Sequence, residues 1–100
     1  MKPILFLLKM PFEDGPEKKM WICPPCALVE GALLSNKHWE DVVDIRRVDF
    51  PRPRKEVIDM LGEENQGLPA LIVDNENFLT DAKEIINYLA NEFGGAAALP

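Results

Sequence analysis

The chain has 100 residues, of which 47% are hydrophobic and 28% charged, the usage of an ordinary globular domain and not of a disordered one. Eleven Lys and Arg against seventeen Asp and Glu give a net charge of −6, which argues against nucleic acid or an anionic membrane as primary partner, since both need clustered cations. The longest apolar run, Ile4 to Leu8, is far short of the ~20 residues of a membrane span and of the about 7–15 of a signal peptide's apolar core, so the expected compartment is the cytoplasm.

Ile4 to Leu8 reads as a central strand covered on both faces. Met10 to Met20 holds two prolines, a glycine, three acids and two lysines and reads as a loop. From Pro24 the pattern turns helical, with Cys26, Val29 and Leu33 on one stripe and Ala32 beside it, ending near Asn36. Val42 to Phe50 is dense in β-branched residues and reads as a second strand, broken by Pro51 and Pro53. Val57, Ile58, Met60 and Leu61 suggest a short helix stopped by Gly62. Gln66 to Pro69 is a turn, Ala70 to Val73 a strand, Asp74 to Asn77 a polar connection, and Phe78-Leu79 the return of a hairpin. Asp81 followed by Glu84 starts a last helix, whose stripe is Ala82, Ile85, Ile86, Leu89, Ala90 and Phe93. Gly94 is placed to end it. The order is β-α-β-α-β-β-α in one domain over residues 1–93, with 94–100 expected as a flexible tail.

Both cysteines fall in Cys23-Pro24-Pro25-Cys26, at the start of the first helix. Three plain readings compete with a redox one. A structural disulfide across so short a loop contributes only about 2 kcal/mol and would be opened by cytoplasmic reductants. Structural zinc wants four N/S ligands, and the chain offers Cys23, Cys26 and His38. Two buried thiols without a role are the third.

The redox reading rests on the helix mouth, where backbone N–H groups lack intrahelical partners and favour a thiolate, the reactive form of cysteine. Cys23 takes the cap position and Pro24 the first turn, where a missing N–H costs little. With Pro25 also lacking a donor, only the N–H and S–H of Cys26 can point back at the Cys23 sulfur. Cys26 lies on the apolar stripe and is expected to be the more buried. Cys23 is then the attacking thiol and Cys26 the resolving one.

Element order and motifs together resemble the thioredoxin fold, as built in glutaredoxins and in the amino-terminal domain of glutathione transferases, over residues 3 to 93. The resemblance implies a three-layer α/β fold with a four-stranded mixed sheet. Leu68-Pro69-Ala70-Leu71-Ile72 resembles the cis-proline loop of that superfamily. This implies that Pro69 is the cis residue and that the Leu68 backbone pairs with an extended thiol peptide. In glutathione-binding relatives, the positions of Thr80 and Asp81 hold the γ-glutamyl end; a plain helix cap is the alternative. Arg52, Arg54 and Lys55 are placed to take a glycyl carboxylate, or form a solvated cationic turn. Lys9 matches a lysine that glutaredoxin-like proteins carry near the nucleophile. Trp21 is either part of an exposed recognition surface or packed in the core, and His38 is read as a surface histidine. At finer grain, three segments resemble a bacterial family of small thioredoxin-like proteins without assigned function. They are Phe6-Leu7-Leu8-Lys9, the cysteine motif continued into Ala27-Leu28-Val29-Glu30-Gly31, and residues 46–54.

The expectation is a cytoplasmic thiol–disulfide oxidoreductase without a tightly bound cofactor or metal. It would act on a disulfide-containing protein or on glutathione, with glutathione as a candidate co-substrate. Two other readings stand beside it: a non-catalytic binding module for a protein or a glutathione-like peptide, and a metal or iron–sulfur carrier assembled across two chains through Cys23.

Overall fold

The computed structural model describes residues 2–100. Its central strand β1 (Ile4–Leu8) is buried at every residue, as a continuous apolar run covered on both faces requires. Parallel to it runs β4 (Asp44–Val48), in a register from Ile4 opposite Asp44 to Leu8 opposite Val48. On its other side β5 (Ala70–Ile72) is antiparallel, and β6 (Phe78–Leu79) extends the sheet, again antiparallel. The order β4-β1-β5-β6 makes a four-stranded mixed sheet, which is the expected one.

Three helices cover it. The first, α1 (Pro24–Ser35), begins at Cys23 as N-cap with prolines in its first turn and ends where the Asn36 N–H returns to the Ala32 carbonyl. It packs on α3 (Ala82–Phe93). Asp81 caps α3 by accepting the Glu84 N–H at 3.0 Å. Gly94 ends it at a φ of +74°, a conformation that favours glycine. The shorter α2 (Lys55–Leu61) buries Val57. Leu5, Leu7, Phe6, Val29, Trp39, Leu71, Ile85 and Leu89 form the fully buried centre. Burial of each large side chain contributes roughly 1.5–3 kcal/mol.

Three expectations are corrected. Inside the supposed loop of residues 10–20 stands a hairpin, β2 (Phe12–Asp14) paired with β3 (Lys19–Trp21). Its turn runs from Gly15, at a φ of +87°, to Lys18, at a φ of +54°. The strand expected from Val42 starts only at Asp44, because a 3₁₀ helix (Lys37–Asp41) precedes it and turns Trp39 into the core. The tail expected to fray from residue 94 is tied down. Buried Asn36 gives its amide to the Ala96 carbonyl and receives the Ala96 N–H, the Trp39 indole and His38 ring both reach the Gly94 carbonyl, and Asn87 receives the Ala98 N–H. Among the described residues no helix is long and apolar enough to cross a membrane.

Candidate active site

The two cysteines are free thiols in unequal surroundings, Cys23 half-buried and Cys26 fully buried on the inner stripe of α1. Cys23 holds extended backbone angles, as an N-cap residue does, and its sulfur accepts the Cys26 N–H at 3.3 Å. Since Pro24 and Pro25 have no N–H, this is the motif's one backbone bond to that sulfur. The Cys23 N–H points back at the thioether of Met10, 3.2 Å away. Its thiol lies 3.9 Å from the Leu68 carbonyl, to which it donates. The Leu68–Pro69 peptide is cis, and Pro69 is fully buried. Cysteine motif and proline loop, 45 positions apart in sequence, therefore face one another across the end of the sheet.

Burial is the main reason that the Cys26 thiol is pushed up to about 12. Its hydrogen bond to Cys23 and the charges of Cys23 and Glu30 act the same way, and a Leu8 backbone contact acts against them. Glu30 is itself held by Arg47 of β4 in a two-bond fork of 2.8 and 2.7 Å.

The remaining sequence-derived candidates are less closely gathered. Thr80 and Asp81 are exposed at the start of α3, where one Asp81 oxygen is engaged by the Glu84 N–H. Arg52 is exposed. The expectation that Arg54 receives a carboxylate is corrected: the residue is buried, and its fork is filled by backbone oxygens. Nε and Nη2 donate to the Phe50 carbonyl at 2.9 and 2.7 Å, and Nη1 donates to the Gln66 carbonyl at 2.6 Å. Lys9 pairs with exposed Asp49 at 3.4 Å. Trp21, 45% exposed on the hairpin, gives its indole N–H to Asp14 and lies under the Lys19 ammonium. Met10, Phe50 and Gln66 belong to the site and carried no signal in the sequence. Each enters through its backbone or through a contact with a distant loop. Among the described residues, no three His, Cys, Asp or Glu side chains gather as a ligand set for a metal.

The profile of a family described as "Protein of unknown function (DUF3088)" matches residues 2–97. The chain belongs to that family. No match was found among functionally curated proteins. A solved structure, that of Chlamydomonas reinhardtii dehydroascorbate reductase, superposes on 100% of this chain and 44% of its own, with a TM-score of 0.54 and 15% identity. At that identity the likeness carries the fold alone, which is thioredoxin-like, and this chain spans less than half the length of the reductase.

Proposed function

We propose that this family member is a thiol–disulfide oxidoreductase in which Cys23 attacks and Cys26 resolves. The observation that carries the reading is the asymmetry of the pair: a half-buried sulfur at a helix mouth, bonded by the N–H of a fully buried cysteine one turn behind it.

The Cys23 thiolate attacks one sulfur of a substrate disulfide. The S–S bond breaks, and the leaving thiolate takes up a proton. The Cys26 thiol then gives up its proton and attacks the Cys23 sulfur of the mixed disulfide, and the second substrate thiolate leaves with that proton. The substrate has gained two electrons, and the chain ends as the Cys23–Cys26 disulfide. Two of the influences that push Cys26 up, the hydrogen bond to Cys23 and the Cys23 charge, vanish once Cys23 is tied in the mixed disulfide. The resolving thiol is thus easier to ionise at the step that uses it.

Electrons return from two glutathione thiols or from a reductase. A glutathione site would draw on Thr80, Asp81, Arg52 and the Leu68 backbone, without the Arg54 side chain. Reduction of a model disulfide is measured with glutathione and with a thioredoxin reductase as alternative donors, beside Cys23→Ser and Cys26→Ser. Cys23→Ser is expected to abolish turnover. A variant as active as the wild type would overturn the reading and leave the binding-module alternative.

A further inference from the structure

Arg54 is the one buried charged side chain in the described structure. A buried charge is costly unless fully bonded and faced by an opposite charge. Its three bonds all go to neutral carbonyls, and among the described residues no carboxylate stands within ion-pair distance of it. The planar fork of arginine suits such a site, because it can hold two loops at once where an ammonium would act as a point charge.

The two loops it holds flank Cys23. On one side the guanidinium lies 5.4 Å over the Phe50 ring. That ring stacks on Phe12 of the hairpin with centroids 4.2 Å apart, and Phe12 pairs with Trp21, two residues before Cys23. On the other side it bonds the Gln66 carbonyl, two residues before Leu68, whose own carbonyl meets the Cys23 thiol. The Gln66 side chain closes the clamp by accepting the Arg54 N–H at 2.8 Å.

We propose, on the basis of the thiol reading above, that Arg54 is the positioning residue of the site: its guanidinium fork holds the hairpin and the Leu68–Pro69 loop about Cys23. Burial and the neighbouring Arg52 pull Arg54 below the usual guanidinium range, while the charges of Cys26 and Cys23 act in the opposite direction. The other charges that bear on the sulfurs and on Arg54 are Glu30 of α1, engaged by Arg47, and exposed Arg52.

The test reads the Cys23 thiol alone, in a Cys26→Ser background, by its rate of alkylation with iodoacetamide across pH. Arg54 is compared with Arg54→Gln, which keeps a donor without the charge, and with Arg54→Lys, which keeps the charge without the fork. Without the fork the two loops are no longer held about the sulfur, so Arg54→Gln is expected to change the alkylation rate at pH 7 by about threefold or more. Arg54→Lys is expected to do the same, since a point charge cannot bond both loops at once. Coincident profiles for all three, or an Arg54→Lys profile that coincides with the parent's, would overturn the proposal. Should circular dichroism show that Arg54→Gln does not fold, Arg54→Lys decides alone: a change of about threefold or more supports the proposal, and a rate matching the parent's overturns it. No disulfide partner enters this measurement. Altered profiles in a protein that turns over no disulfide would sink the redox reading and leave Arg54 in place.

Discussion

The Cys26 amide points at the Cys23 sulfur across 3.3 Å, while the Cys26 side chain is wholly shielded from solvent. One helical turn thus separates an approachable sulfur from a shut one, although the two residues are chemically identical.

Reactivity is expected to divide accordingly. In the native reduced protein at pH 7.5, a small alkylating agent should add a single group, on Cys23, because Cys26 is both buried and pushed up to about 12. Peptide mass mapping reads the outcome, with both thiols modified only after denaturation. Equal labelling of the two in the native state would contradict the burial described here.

Stability should depend on pH through the same thiol. Its titration lies at 9.0 for an exposed cysteine and at about 12 in the fold, so between those values the unfolded chain has released a proton that the folded chain keeps. Reduced protein therefore loses stability as pH rises above about 9, by at most ~1.4 kcal/mol per pH unit. Below that window the contribution is unchanged. Denaturant unfolding at pH 8 and 10.5 is expected to show a larger loss for the wild type than for Cys26→Ala, and parallel losses would refute the assignment.

Asn36 joins the end of α1 to the segment after α3 through bonds to Ala32 and to both backbone groups of Ala96. Asn36→Ala removes all three. The expected cost is about 2 kcal/mol, a fall of about 10 °C in Tm for a chain of this size, with faster trimming of the carboxyl end by carboxypeptidase. A Tm within about 2 °C of the parent would show that the tail contributes nothing.

Asp81 has two readings that one pair of variants separates. Asp81→Ala removes the α3 cap and should cost about 1 kcal/mol. Asp81→Asn keeps a capping oxygen, so stability should hold. If Asp81 also receives the amino end of glutathione, the asparagine variant should raise the KM for glutathione while leaving Tm in place. An unchanged KM would reduce Asp81 to a cap.

Much of the fold is legible where periodicity and punctuation agree. The stripe of α3 between Asp81 and Gly94, the buried run of β1 and the motif that opens α1 each announce themselves locally. The hairpin of β2 and β3 does not, because its strands are three residues long and mostly exposed, so neither shows an alternation. Arg54 misleads for a different reason. In Arg52-Pro53-Arg54-Lys55 it resembles its solvated neighbours, and the return of Gln66 from twelve positions later supplies one of the two carbonyls that take it inside. The docking of the tail on Asn36 spans 60 positions and leaves no local trace either.

The pair of prolines between the cysteines has a practical corollary. Pro24 belongs to the helix's opening turn, but Pro25 withholds an amide that most residues would offer to the sulfur. Replacing Pro25 alone, for instance with alanine or histidine, would furnish that extra contact without touching either thiol or the helix length. The contacts offered to this sulfur are thereby adjustable at a single surface position, which suits the scaffold to graded variants.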